Sequence, residues 1–211
     1  MVNENMPTPE EMREMFSGVE LRCLDIETTG FSREKDYVIE LGMVVVNCGE
    51  VKFEGEVMFG GGRSHPESLK VHGITDEERV GLPVFAEKAA HFKKVVEDPA
   101  VSPSGEEIPV IFVGHNSDKF DIPFLVAKCK QANHPIITKD GYLYTVDTAK
   151  LARKHLSSPD YRLETLCKVY GIEHGKHRGL GDTWSCFNLL AVCMKKGKLK
   201  HVLDISRKVG I

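Results

Sequence analysis

Apolar and β-branched residues gather in residues 21–26, 38–46 and 51–59, with alternation in the last, and predict three strands in a meander. Gly60, Gly61 and Gly62 close that meander, and residues 71–75 then run as a loop. Val84, Phe85, Ala89, Phe92, Val95 and Val96 recur at helical spacing, which predicts an amphipathic helix over residues 83–96. Residues 97–109 place Pro99, Pro103 and Gly105 among acids, a surface loop leading into a buried strand at 110–113. Helices over 121–130, 148–155, 163–170 and 180–194, with a short strand at 144–146, complete the pattern. Strands first, then strand and helix in alternation, then helices predict an α/β fold with a mixed central sheet flanked by helices. Residues 1–18 are polar and proline-containing, an N-terminal arm with at most a short helix at 10–16, and residues 19–211 form one domain.

Composition narrows the class. A chain of 211 residues fits one domain better than two, and 41% hydrophobic with 28% charged residues excludes collagen-like, coiled-coil and wholly disordered chains. The longest apolar runs, 43–46 and 189–194, fall far short of the roughly 20 residues a membrane span needs. The Glu- and Met-rich start has no basic segment followed by an apolar one, so an intracellular protein with no membrane partner is expected. Six cysteines without a Cys-x-x-Cys pair read as buried thiols, in preference to a disulfide framework or a zinc site. The net charge of −3 argues against a nucleic-acid partner until its distribution is considered. Residues 1–118 carry −12 and residues 119–211 carry +9. A polyanion would meet a basic second half, although an unevenly solvated surface accounts for the same asymmetry.

Candidate chemistry lies in the carboxylates. Asp25 and Glu27 are two apart at the end of the first strand, so both side chains leave one face, with Cα atoms about 6.5 Å apart. Two anions that close repel unless a cation lies between them, and a divalent metal is a natural occupant. Asp76 and Glu78 share the spacing but lie in a polar run, so the apolar context before Asp25 is what raises the pair. Asp121 stands where a helix begins, which suits an N-cap or a partner of the helix dipole as well as a ligand. Asp182 falls on a stripe with Cys186, Leu189 and Cys193 in a helix apolar on most sides, an acid that needs a hydrogen-bond partner or a metal. His177 lies five residues before it. The same spacing in His155 and Asp160 spans a Ser-Ser-Pro loop and reads as surface.

Three segments in order, Asp25-Ile26-Glu27-Thr28-Thr29-Gly30, Asn116-Ser117-Asp118-Lys119-Phe120-Asp121 and His177-Arg178-Gly179-Leu180-Gly181-Asp182, resemble the three motifs of the DEDDh (DnaQ-like) 3′→5′ exonucleases. That family includes the proofreading subunit of bacterial DNA polymerase III, the TREX exonucleases and ribonuclease T. The likeness covers about residues 20–195, and Val71-His72-Gly73-Ile74-Thr75 resembles a segment found between the first two motifs. Histidine marks the branch, because Arg178 stands where the DEDDy branch would have tyrosine.

The resemblance implies a ribonuclease H-like fold in which Asp25, Glu27, Asp121 and Asp182 hold two Mg²⁺ or Mn²⁺ ions at a 3′-terminal phosphodiester. It implies His177 as general base and nucleoside 5′-monophosphates as products. Thr28, Thr29, His115 and Asn116 match positions that line the terminal nucleotide or brace the site, and ordinary turn roles suit them nearly as well. Gly175, Gly179 and Gly181 around His177 imply a permissive backbone. The short stretch after the third motif does not resemble the polymerase-binding extension of the bacterial subunit, so a polymerase partner is allowed but not indicated. The leading expectation is an exonuclease acting on DNA 3′ ends. An exoribonuclease of the same family and a catalytically silent nucleic-acid-binding module stand as alternatives, separated by metal-dependent nucleotide release and by which sugar is accepted.

Overall fold

The computed structural model describes residues 3–175 and 178–211. Helix α1 (Pro9–Met15) precedes strands β1 (Glu20–Thr28), β2 (Val38–Asn47) and β3 (Glu50–Met58). Helices α2 (Pro66–His72) and α3 (Phe85–Glu97) follow, then the short strands β4 (Ala100–Val101) and β5 (Glu107–Ile108) and the longer β6 (Val110–Gly114). Next come α4 (Asp121–Gln131), β7 (Tyr142–Asp147), α5 (Thr148–His155), α6 (Leu163–Tyr170), α7 (Gly179–Gly197) and β8 (Arg207–Gly210). The six-stranded sheet runs β3-β2-β1-β6-β7-β8. The β3-β2-β1 meander is antiparallel, β1-β6 and β6-β7 are parallel, and β8 closes the far edge antiparallel to β7.

The sheet separates two apolar cores. Leu21 and Cys23 of β1 point to one side, with Val44, Ile111 and Val146, against α1, α5, α6 and α7; Cys167 and Cys193 are buried there. Leu24 and Ile26 point to the other, with Met43, Phe112 and Leu143, against α3 and α4, where Cys129 is buried. This is the alternation a strand buried on both faces must show. Among the described residues no helix is long and apolar enough to cross a membrane.

Three local features depart from the pattern read along the chain. The arm is docked: Asn3 Nδ2 donates to the carbonyls of Tyr170 and Gly171 at the end of α6, Lys195 Nζ donates to the Met6 carbonyl, and Phe16 is wholly buried against Phe187. The loop at 97–109 contains the small β4-β5 hairpin. Residues 66–72 form a helix where a loop was expected to begin. It has proline at its start, buries only Ser68 and His72, and so shows no apolar stripe.

Candidate active site

The alternation along β1 that sends Leu21 and Cys23 toward α7 sends Asp25 and Glu27 the same way at the strand's C-terminal end. Helix α7 crosses that face and carries Asp182, 4% exposed, in its first turn, where the helix dipole favours an anion. Oxygen atoms of Asp25, Glu27 and Asp182 lie within 4.8 Å of one another. Among the described residues no other group of three His, Cys, Asp or Glu side chains converges in this way. Asp121 is the first residue of α4, which Phe120 precedes as the cap position. Its Oδ1 accepts the Ile26 N–H at 3.1 Å, so the carboxylate is fastened to β1 between the two strand acids.

Crowding and burial raise these acids. Desolvation, then the charges of Asp121 and Glu27, hold the Asp25 carboxyl well above its ordinary range. Glu27 is pushed up to about 8 by desolvation and then by Asp182 and Glu40, and Asp121 to about 7, chiefly by burial. An all-oxygen set that repels itself this strongly fits a hard divalent cation such as Mg²⁺ or Mn²⁺, which removes the repulsion by replacing protons.

Two further groups brace the cluster. His174 Nδ1 lies 3.0 Å from Asp182 Oδ1, in the manner of an imidazole that orients a ligand carboxylate. Glu40 of β2, wholly buried, pairs with Glu27 in strand register and accepts the Gly179 N–H at 2.7 Å. The same carboxylate receives Arg178 Nε at 3.2 Å and Nη2 at 3.0 Å, fixing the start of α7. Neither stood out from motif spacing. His174 precedes a helix and so has no periodicity, whereas Glu40 was an acid inside an otherwise apolar strand, a usable signal.

His177 lies outside the described residues. His115 pairs through Nδ1 with Thr148 Oγ1 and through Nε2 with the Tyr161 carbonyl, both at 2.9 Å, and burial lowers its pKa. Thr28 donates to the Gly30 carbonyl, and Thr29 accepts the Tyr37 N–H beside Asp36, so both hydroxyls hold the loop after β1. Asn116 adopts a left-handed conformation with its N–H on Asp147. A groove of about 1350 Å³ joins Asp25, Glu27, Asp121 and Asp182 to His115 and Asn116. Phe31, 71% exposed, lies on it and packs on Phe120 with ring centroids 6.2 Å apart.

A mixed sheet with an acid cluster at the C-terminal end of its central strand, completed from flanking helices, is the ribonuclease H-like arrangement of a nuclease. The family model for exonucleases matches residues 23–190, and the chain belongs to that family, the DnaQ-like 3′→5′ exonucleases, which are phosphodiester hydrolases. It is 29% identical over 179 residues to DNA polymerase III subunit epsilon of Treponema pallidum, covering 81% of this chain and 74% of that protein. It is 31% identical over 160 residues to the same subunit of Pasteurella multocida, covering 72% of this chain and 58% of that protein. Against the PolC-type DNA polymerase III of Bacillus subtilis it is 29% identical, with 84% of this chain spanning 12% of that one. The structure of E. coli exonuclease I in complex with a dT13 oligonucleotide shares the fold, with a TM-score of 0.71 at 16% identity over 89% of this chain and 43% of that one.

Proposed function

We propose that the chain removes nucleotides one at a time from DNA 3′ ends by hydrolysis at the Asp25, Glu27, Asp121 and Asp182 cluster. The observation that supports this most directly is the convergence of Asp25, Glu27 and Asp182 oxygens within 4.8 Å, with Asp121 bonded to the strand between them. Two Mg²⁺ or Mn²⁺ ions bound by these four carboxylates would stabilise phosphoryl charge and make a bound water more acidic. His177 takes the proton of the attacking water, a task suited to an imidazole near neutral pH. As the water oxygen bonds to phosphorus the P–O3′ bond breaks and the departing 3′ oxygen takes up a proton from solvent, leaving a strand with a free 3′ hydroxyl and a nucleoside 5′-monophosphate. His174 keeps the Asp182 carboxylate oriented, Glu40 holds Arg178 and Gly179, and the exposed Phe31 ring offers a face on which a base can stack. The relatives named as DNA polymerase III subunits favour DNA as the strand.

The test is Mg²⁺-dependent degradation of matched 5′-labelled single-stranded DNA and RNA, with Asp25→Ala beside the unaltered chain and products sized to one nucleotide. A ladder that shrinks from the 3′ end on DNA, absent with EDTA and in the variant, is the expected result. Faster loss of RNA would reassign the substrate. No cleavage of either would leave a binding module, and activity retained in Asp182→Asn would defeat the mechanism.

A further inference from the structure

Beyond its acids the groove is lined by three cations, Lys70, Arg153 and Arg162. Arg162 is committed, with Nη2 2.9 Å from Asp160 Oδ2. Arg153 is different. It is exposed on α5, no ion pair with a described carboxylate involves it, and its guanidinium carbon lies 5.4 Å from the centre of the Tyr161 ring. Tyr161 is itself fixed, because its carbonyl accepts from His115 and its hydroxyl donates to the Leu156 carbonyl at 3.3 Å. A planar cation resting on an anchored aromatic ring has lost much of its rotamer freedom before any ligand arrives, so little entropy opposes a bidentate contact. Lys70, at the end of α2, is the other groove cation that forms no described ion pair.

Such cations need an anion, and the substrate supplies a limited set. A 3′-ended strand brings its scissile phosphate to the carboxylates, and the other anions it carries into the groove are the phosphates on the 5′ side. We propose that Arg153, seated on Tyr161 and assisted by Lys70, binds a backbone phosphate of single-stranded nucleic acid on the 5′ side of the scissile bond. This rests on the exonuclease reaction assigned to the neighbouring cluster. It makes the groove a reader of strand backbone, indifferent to base and largely to sugar. The link through Tyr161 to His115 joins this contact to the residue that immediately precedes the second exonuclease motif.

Two substrates separate the roles: a labelled single-stranded oligonucleotide of roughly ten nucleotides, and the p-nitrophenyl ester of thymidine 5′-monophosphate, which has a phosphodiester but no phosphate upstream of it. In Arg153→Gln the ratio of oligonucleotide to ester hydrolysis should fall roughly tenfold or more, carried by KM, as expected for loss of one charged hydrogen-bonded contact. The log-log salt dependence of oligonucleotide binding, followed by fluorescence anisotropy with Ca²⁺ in place of Mg²⁺, should flatten by about 0.7 for each phosphate contact removed. Arg153→Lys should recover part of the affinity, since charge returns without the planar fork. An equal loss on both substrates would overturn the proposal in favour of Arg153 as a support for Tyr161 and His115. An unchanged ratio with an unchanged salt slope would overturn it as well. If the unaltered chain hydrolyses neither substrate, the reaction assignment fails on its own, and anisotropy alone decides the phosphate contact: affinity that weakens in Arg153→Gln supports it, and equal affinity refutes it.

Discussion

Glu40 shows how a single buried acid sets the geometry of its neighbours. Three donors converge on it, two from the Arg178 guanidinium and one from the Gly179 backbone, and its charge adds to the repulsion felt by Glu27. Glu40→Gln keeps the shape, replaces one acceptor with a donor and leaves Arg178 facing a neutral partner. Turnover should fall roughly 10–100-fold, the range for residues that support metal ligands, with far-UV circular dichroism little changed; single-turnover nucleotide release checks it. Asp25, Glu27, Asp121 and Asp182 were legible because each falls within a motif whose local context restricts it. Glu40 and His174 act through approaches between β2, α7 and the segment before α7, and strand or helix periodicity carries no record of such pairings.

At the scale of elements, the seating of α7 on the sheet depends on absent side chains. A Cβ on Gly42 of β2 would lie 2.0 Å from the Gly179 carbonyl carbon, and one on Gly175 would lie 2.1 Å from that of Gly181. These glycines permit backbone to meet backbone. Gly42→Ala should therefore destabilise the fold by about 1–3 kcal/mol and lower activity more than stability, because the displaced first turn carries Asp182. Paired measurement of denaturant midpoint and nucleotide release would show it, and loss of stability with full activity would contradict it. The long strands and α3, α4 and α7 were readable from apolar period alone. Helix α2 lacks an apolar stripe and β8 is a four-residue edge strand with Arg207 and Lys208, so tertiary placement, not pattern, makes them regular.

For the molecule as a whole, the acid cluster links stability to pH and metal. Glu27 at about 8 and Asp121 at about 7 stand above the ordinary values of about 4.3 and about 3.9, so between about pH 4 and about pH 8 the folded chain binds more protons than the unfolded one. Stability contributed by these two groups is therefore present at low pH and lost as pH rises through that window. Under the proposed metal occupancy divalent cations would replace the protons, so the rise in Tm on adding millimolar Mg²⁺ should grow from small near pH 5 to several degrees near pH 8. Thermal unfolding in EDTA and in Mg²⁺ across that range checks this, and parallel curves would count against metal at the cluster. The two cores on either side of the sheet also hold internal reporters of their own opening. Burial pushes Cys167 up to about 11 and Cys129 and Cys193 to about 12, so an alkylating reagent meets almost no thiolate until the surrounding layer loosens. Because Cys129 belongs to α4, in the core on the α3 side of the sheet, and the other two lie on the α7 side, the order in which they are labelled would time the separation of the layers without a single engineered probe.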